Sequence, residues 1–232
     1  MKICIFSDIH GNGPAFRAAF SRIISESADI NIYLGDLCGY YFDQLEIYPL
    51  LRKIPNLVAL RGNHDQIFLD IVRGNLDLLE EYRIKYGKSM NHLLSGDYGE
   101  FIEWLPHLSA SYCDASNGFS CYHGCPSNAL EGYVYPDSSL ESIGEFPGLF
   151  CFLGHTHYKM HRTFKDKVII NPGSLGQPRD GGWPTYAVFD SFSQHVIFRE
   201  VAYNIDDFKK SIAGVDDHKY LSHILDRQSG PE

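Results

Sequence analysis

Residues 2–14 read KICIFSDIHGNGP and contain the beginning of an α/β unit. Residues 2–6 are an apolar run, rich in isoleucine, of the kind that becomes a buried strand. A loop with an aspartate and a histidine follows, and Pro14 suits the first turn of a helix. The stretch therefore predicts a strand, a loop with polar side chains and a helix in succession.

The same order of elements recurs in the residues that follow. Strand-like runs lie at 30–34 and 56–60, each before a loop that contains glycine. A helix is predicted between them at 42–54, despite Pro49. Strands that alternate with helices indicate βαβ units and a largely parallel sheet.

The rest of the chain favours helices first and strands afterwards. Mostly helical sequence occupies 66–105, and strand character follows at 107–122. Further strands are predicted at 149–153, 159–164, 167–171, 185–190 and 195–203, and closing helices at 205–213 and 217–227. The sequence contains no repeat, low-complexity segment or linker, so we predict an α/β fold with one domain over 1–232 and two stacked sheets covered by helices.

The composition is that of an ordinary globular protein. The chain has 232 residues, 44% hydrophobic and 21% charged, enough for one well-filled core. The formal charge is −9, and the sequence has no run of five or more lysines or arginines. We therefore do not expect non-specific binding to nucleic acids or membranes. The first apolar run is too short for a signal-peptide core, and no stretch reaches the length of a membrane span. We expect a cytoplasmic protein.

The cysteines are scattered rather than paired. They are Cys4, Cys38, Cys113, Cys121, Cys125 and Cys151. We expect reduced, buried thiols. Cys121, His123 and Cys125 lie close together in the sequence, but no second cysteine pair stands at zinc-finger spacing, so we expect no structural zinc site there.

Five strand-like runs each end in a loop that carries side chains able to bind a metal ion. The residues are Asp8 and His10, then Asp36, then Asn63 and His64, then His123, then His155 and His157. Any one of them alone would be an ordinary structural residue. In an α/β sheet, however, loops at the carboxyl ends of the strands converge on one crevice. Carboxylates and imidazoles together suit divalent ions such as manganese, iron, zinc or nickel, and seven ligands suffice for two ions if one carboxylate bridges them.

The motifs in these loops resemble those of the calcineurin-like metallophosphoesterases. They are DIH at 8–10, GD at 35–36, GNHD at 62–65, HG at 123–124 and GHTH at 154–157. The stretches GDLCGYY and NPGSLGQPRDG are similar to a small single-domain prokaryotic subgroup, described as diadenosine tetraphosphatase-like or phosphodiesterase-like. The resemblance implies a four-layer αββα sandwich, with two stacked mixed sheets flanked by helices, and two divalent transition-metal ions.

The resemblance also implies three ligands for each ion. They are Asp8, His10 and His157 for one ion, and Asn63, His123 and His155 for the other. Asp36 would bridge both ions, with a hydroxide between them. Manganese is the expected metal, and iron, zinc, nickel and magnesium are the alternatives. One position departs from the pattern, because many members carry an acidic or amide residue three places after the bridging aspartate, where this chain has Gly39.

His64 and Asp65 are the candidate catalytic residues. His64 directly follows Asn63 and cannot easily reach the same ion. We therefore expect it to face the phosphate, where it would stabilise charge or donate a proton to the leaving oxygen. Asp65 would orient His64 or support the loop.

Candidate substrate-binding residues follow the metal motifs. Arg179 lies in a glycine-rich loop and could clamp a second phosphate or a carboxylate, or form a salt bridge that holds the loop. Asn12, Tyr40 and Tyr41 could line the pocket.

These residues together predict a dinuclear metal-dependent phosphoesterase. Its substrate would be a small, nucleotide-like phosphomonoester or phosphodiester, attacked by the bridging hydroxide. Alternatives within enzymes are a dinucleotide polyphosphatase and a protein phosphatase. The alternative from another class is a non-catalytic metal-binding or protein-interaction scaffold, although such relatives tend to have lost motif histidines that this chain retains. The oligomeric state stays open.

Overall fold

The computed structural model describes residues 1–216 and 218–226, which contain ten β-strands and eight α-helices. The strands are β1 (Lys2–Phe6), β2 (Ile30–Tyr33), β3 (Leu57–Ala59), β4 (Ser111–Asp114), β5 (Phe119–Tyr122), β6 (Phe150–Leu153), β7 (Lys159–Phe164), β8 (Lys167–Pro172), β9 (Thr185–Asp190) and β10 (His195–Glu200). The helices are α1 (Gly13–Ser25), α2 (Gln44–Leu51), α3 (Asn63–Val72), α4 (Leu76–Tyr86), α5 (Ser89–Ser95), α6 (Gly99–Trp104), α7 (Ile205–Val215) and α8 (Lys219–Leu225). The last predicted helix, at 217–227, corresponds to α8, and its two end positions lie outside the described residues.

The opening stretch folds as predicted. Strand β1 is buried beyond its first residue, and α1 begins after Asn12 with Pro14 in its first turn. The side-chain oxygen of Asn12 accepts a hydrogen bond from Ala15 N at 3.1 Å. This bond satisfies one of the N–H groups that the first turn of a helix leaves without a partner.

The first sheet has the strand order β10-β9-β1-β2-β3. Strands β1, β2 and β3 are parallel, as the predicted βαβ units require, and Pro49 lies inside the intervening helix α2. Strands β9 and β10 form an antiparallel hairpin around the turn at 191–194.

The second sheet has the strand order β4-β5-β6-β8-β7. Strands β5, β6 and β8 are parallel to one another, and β4 and β7 pair antiparallel at the two edges. The predicted strand region at 107–122 is divided into β4 and β5 by a turn at 115–118. Both sheets are therefore mixed.

The two sheets pack face to face through an apolar layer. Its fully buried side chains include Ile3, Ile5 and Ile32 from the first sheet and Phe119, Phe152 and Ile170 from the second. Removal of this apolar surface from water is the main force that holds the sheets together. Helices α1 to α6 cover the other face of the first sheet. The predicted α/β sandwich is thus confirmed.

The outer face of the second sheet has a different cover. An irregular segment at 125–146 packs Val134, Ile143 and Phe146 against Cys151 and Ile169 of the sheet. This cover has no periodic apolar pattern that sequence reasoning could have recognised.

All six cysteines are free, and all but Cys113 are buried. Cys113 is exposed because it lies on β4, an edge strand. No helix in the described part of the chain is long and apolar enough to cross a membrane.

Candidate metal centre

The loops that follow the parallel strands of both sheets meet at one edge of the sandwich. Asp8 N donates a hydrogen bond to Gly35 O at 3.0 Å, and His10 N donates one to Asp36 O at 2.9 Å. These two bonds join the loops after β1 and β2. His155 N, in the loop after β6, donates to Asp8 Oδ2 at 3.1 Å and so links the second sheet to the first. The predicted convergence of the loops is therefore present.

Most of the candidate ligands have a left-handed backbone. The φ angles are 55° for Asp8, 49° for His10, 65° for Asp36, 65° for His155 and 63° for His157. Such angles are uncommon for residues with a side chain and cost on the order of 1–3 kcal/mol each. The surrounding fold maintains them, and the sharp turns direct the side chains to a common point.

The first group of ligand atoms comes from Asp8, His10 and His157. All three side chains are buried, and their ligand atoms lie within 4.8 Å of one another. The Nε2 atoms of the two histidines are 3.1 Å apart, and Asp8 Oδ1 lies 3.4 Å from His157 Nε2. One ion could contact all three side chains.

The second group comes from Asp36, His123 and His155, which are also buried within 4.8 Å of one another. Asn63 Oδ1 joins them at 3.1 Å from His123 Nε2. Asp36 lies between the two groups, since its Oδ2 is 3.5 Å from His123 Nε2 and 3.7 Å from His10 Nε2. The position of Asp36 is the one that a bridging carboxylate would need.

Three of the histidines are oriented to bind a metal ion through Nε2. The Nδ1 atoms of His10, His123 and His157 lie 2.7–2.8 Å from the backbone carbonyls of Cys38, Leu34 and Gln177. A carbonyl can only accept, so each Nδ1 carries a hydrogen, and Nε2 is the ring nitrogen that faces the group. Backbone atoms thus orient these candidate ligands.

The donor atoms fit two divalent ions. Asp8 Oδ1 and Asp36 Oδ2 are buried without a hydrogen-bond partner among the described residues. Buried polar atoms of this kind are costly unless something else satisfies them. The Nε2 lone pairs of His10 and His157 also face each other at 3.1 Å, an arrangement that a cation would stabilise. Two groups of nitrogen and oxygen donors with one shared carboxylate are compatible with a dinuclear divalent metal site.

Burial and mutual interactions shift the pKa values of these groups. Burial lowers the pKa of His155 to about 3, with a further contribution from His123, and burial lowers the pKa of His10 well below its ordinary value. Both histidines are therefore neutral near pH 7, the form that binds metals. Burial also lowers the pKa of His123, but the carboxylate of Asp36 outweighs it and raises that pKa to about 9. Burial raises the pKa of Asp8, but the His157 imidazole outweighs it and holds that pKa well below its usual range.

His64 lies beside these groups and not within them. Its backbone N–H donates to Asp36 Oδ1 at 2.8 Å, and its ring centroid lies 4.9 Å from that of His10. Its Nδ1 lies 2.9 Å from the hydroxyl of Tyr82. The side chain is therefore adjacent to the candidate metal centre while its ring nitrogens are not part of either ligand group.

A family model described as calcineurin-like phosphoesterase superfamily domain matches residues 1–193. The chain belongs to this superfamily. Over 219 residues it is 26% identical to an uncharacterized protein of Methanocaldococcus jannaschii. The aligned region covers 88% of each of the two chains. A metallophosphoesterase from Sphaerobacter thermophilus is 26% identical, with a TM-score of 0.79 over 98% of this chain and 99% of the other. A hypothetical protein from Pyrococcus horikoshii shares the fold at 22% identity, with a TM-score of 0.81 over 97% of both chains.

This calcineurin-like chain contains one site residue that the sequence did not indicate, Tyr82 of α4. The Tyr82 hydroxyl accepts a hydrogen bond from Tyr40 N at 3.2 Å, so its own hydrogen is available to His64 Nδ1. His64 then carries its hydrogen on Nε2. Gly39 makes room for this contact, because a Cβ there would lie 2.6 Å from His64 Nδ1 and 2.7 Å from the Tyr82 hydroxyl. The glycine at residue 39 is visible in the sequence as a departure from the family pattern. Nothing in the sequence, however, connects Gly39 with a tyrosine on a distant helix.

Asp65 contacts backbone on both of its oxygens. Oδ2 accepts from Asp36 N at 2.9 Å and Gly62 N at 3.0 Å, and Oδ1 accepts from Cys38 N at 2.9 Å. Of the two roles considered for Asp65, these contacts match support of the loop rather than orientation of His64. Asp65 joins the loops after β2 and β3 and thereby positions Asp36.

Two candidate substrate-binding residues are occupied elsewhere. Asn12 caps α1, and its amide nitrogen donates to Gly176 O at 2.8 Å and to the Tyr203 hydroxyl at 3.2 Å, so its oxygen and both of its N–H groups already have partners. Tyr41 is fully buried, and its ring packs against Phe208 of α7 with centroids 5.0 Å apart. We therefore do not retain Asn12 and Tyr41 as substrate-binding residues, because a helix cap and a core contact use their side chains.

Tyr40 and Arg179 do lie next to the candidate metal centre in this calcineurin-like fold. The Tyr40 ring packs against His10 and His64, with centroids 4.5 Å and 4.8 Å away. Arg179 Nη2 donates to the Tyr40 hydroxyl at 3.2 Å. Within residues 1–216 and 218–226, no carboxylate lies within 4.0 Å of the Arg179 guanidinium, so the salt-bridge alternative is not observed. The cation remains available to an anionic ligand.

Proposed function

We propose that the chain is a dinuclear metal-dependent phosphoesterase that hydrolyses a small phosphomonoester or phosphodiester. The observation that carries this proposal is the shared position of Asp36 between two complete groups of buried ligands. Two ions in close proximity are the usual clamp for displacement at a phosphoester. Family membership supports the same reaction class.

The proposed ligands divide between the two ions. They are Asp8, His10 and His157 for one ion and Asn63, His123 and His155 for the other, with Asp36 shared. When bound, the ions, with manganese as the expected metal, would supply positive charge and a hydroxide near neutral pH.

The protein's own part in the proposed reaction lies with His64, Arg179 and Tyr40. His64, with its hydrogen on Nε2, can donate to a phosphoryl oxygen or to the leaving oxygen. Arg179 can hold a further anionic oxygen, since guanidinium groups bind phosphates and carboxylates in a paired geometry. Tyr40 packs against the His64 ring and contacts Arg179, so it fixes the positions of both.

The test combines metal analysis with substitution of the shared carboxylate. Wild-type protein should contain about two metal ions per chain, and excess chelator should abolish hydrolysis of a panel of phosphoesters. Asp36→Asn should lower the occupancy of both ions, whereas Asp8→Asn should mainly affect one. Loss of a direct ligand should cost more than the roughly 10–100-fold that is typical of residues behind the ligands.

Asp166→Asn is the matched control, because Asp166 is exposed in the turn between β7 and β8. It should keep wild-type metal content and activity. Full activity in excess chelator, or equal metal content in Asp36→Asn and wild type, would contradict the proposal.

A further inference from the structure

Two exposed tyrosines, Tyr133 and Tyr135, lie at the edge of the candidate metal centre. The two residues are 55% and 37% exposed. The Tyr133 ring centroid lies only 4.2 Å from that of His155, a proposed ligand. The planes of the two tyrosine rings are within 11° of each other, with centroids 5.8 Å apart. The two rings therefore form an offset stack that begins at the metal centre, and a further aromatic ring can add to it.

The backbone that carries this pair is held in place on both sides. Val134, between the two tyrosines, is buried in the apolar cover of the second sheet. Gly132 N donates to Asn128 O at 3.0 Å, and Tyr135 N donates to Ser138 Oγ at 2.8 Å. The alternation of outward and inward side chains is thus fixed before any ligand binds. A pre-formed surface loses little conformational entropy on binding.

Positive charge lies beside the candidate metal centre. Arg179 Nη2 donates to the hydroxyl of Tyr40, whose ring packs against His10 and His64. The ring of Tyr86, which Lys85 covers, packs against His64 with centroids 5.8 Å apart. Lys85 Nζ lies 4.8 Å above the ring of Tyr86, and in the part of the chain that the structure describes no carboxylate lies within 4.0 Å of it. In a chain with a net charge of −9, these two cations favour an anionic ligand at this position.

We propose that Tyr133 and Tyr135 form a stacking platform for the base of a nucleotide whose phosphate lies at the metal centre. This inference rests on the proposed function and assigns the residues that would bind the base of its substrate. A nucleotide combines the two features that the surface offers to bind, an aromatic plane and an anion separated from it by one sugar. Every base has an aromatic face, so a platform of this kind accepts purines and pyrimidines.

The experiment compares two ligands that differ only in the base. They are the non-hydrolysable phosphonate analogues of adenosine 5′-monophosphate and of ribose 5-phosphate, titrated by calorimetry into manganese-loaded protein. The wild type should bind the adenosine compound about 5- to 150-fold more tightly, the range expected for one stacked base. Tyr133→Ala should remove this preference, and Tyr133→Phe should keep it because the ring makes the contact.

Tyr112→Ala is the control, since Tyr112 is also exposed but lies on the edge strand β4. It should keep the preference for the adenosine compound. Equal affinities in the wild type, no detectable binding of either compound, or a preference that survives in Tyr133→Ala would each overturn the platform.

Hydrolysis is measured separately, so that the two proposals can fail independently. If the metal-loaded wild type hydrolyses no phosphoester, the proposed function fails, while the comparison of affinities still tests the platform. If phosphoesters are hydrolysed but both analogues bind equally, only the platform fails.

Discussion

Gly39 and Tyr82 are far apart in the sequence, and both contribute to the surroundings of His64. Gly39 has a φ of 97° and no side chain, and the Tyr82 hydroxyl lies against His64 Nδ1 in the space that this leaves. The resemblance to the family implies an acidic or amide side chain at residue 39 in many members. In this chain a neutral hydroxyl from α4 holds the ring of His64 instead.

Tyr82→Phe should lower kcat by roughly 5- to 100-fold, the scale of one lost hydrogen bond to a catalytic group. KM and metal content should change little, because Tyr82 contacts His64 and none of the proposed ligands. Tyr98→Phe is the control, since the Tyr98 ring packs against Phe68 in the same helical cover. An unchanged kcat in Tyr82→Phe would show that the hydroxyl does not position His64.

His64→Ala should keep both ions and lower kcat/KM by roughly 10²–10⁴-fold, the usual effect of a positioned acid. If His64 donates a proton, an alkyl ester should suffer more than a nitrophenyl ester, whose leaving group needs no proton. Metal content and kcat/KM for both esters are the measurements. Loss of an ion would make His64 a ligand, and an equal loss for both esters would leave charge stabilisation as its role.

At the scale of loops and helices, Asp65 is the residue that joins separate elements. It lies at the start of α3, and its carboxylate accepts three backbone N–H groups from the loops after β2 and β3. Those loops carry Asp36 and Asn63, one candidate ligand from each. The geometry of the centre therefore depends on a carboxylate that is not itself a candidate ligand.

Asp65→Asn should destabilise the fold by about 1–3 kcal/mol, because an amide cannot accept all three backbone bonds and leaves a buried N–H without a partner. Metal affinity should fall as well, since Asp36 loses its support. Asp190→Asn is the control, because Asp190 accepts two backbone N–H groups in the exposed hairpin turn. Denaturant unfolding and metal analysis are the measurements, and equal effects of the two substitutions would contradict this role for Asp65.

The elements were predictable where a local pattern sets them. The parallel strands and the five loops follow from apolar runs that end in glycine and polar residues. Asn12 caps α1, and a helix cap and a ligand-binding residue give the same signal in a sequence. The cover at 125–146 and the contact of Tyr82 with His64 have no local pattern. They arise from packing between distant segments, which a single sequence does not reveal.

At the scale of the whole molecule, each candidate ligand group draws on both sheets. Asp8 and His10 follow β1 of the first sheet, whereas His157 follows β6 of the second. Asp36 follows β2, whereas His123 and His155 follow β5 and β6. The centre therefore exists only while the two sheets remain packed.

Removal of the metal should lower the melting temperature of the whole protein. Ions that bind only the folded state stabilise it by an amount that grows with the logarithm of their concentration over their dissociation constant. Their loss also leaves Asp8 Oδ1 and Asp36 Oδ2 buried without partners. Calorimetry with and without chelator should show one transition that moves to lower temperature and returns when manganese is added. An unchanged melting temperature, or separate transitions for the two sheets, would contradict this coupling.

The division of ligands between the sheets also bears on how the chain would acquire its metal during synthesis. As the polypeptide emerges from the ribosome, Asp8, His10, Asp36 and Asn63 are made well before His123, His155 and His157. A nascent chain that contains only β1 to β3 offers each ion at most two or three unassembled donors, too few for a tight site. Metal capture should therefore wait until the strands of the second sheet that carry the remaining ligands have been made. The finished geometry, rather than the intrinsic affinity order of divalent ions for loose imidazoles, then selects the metal.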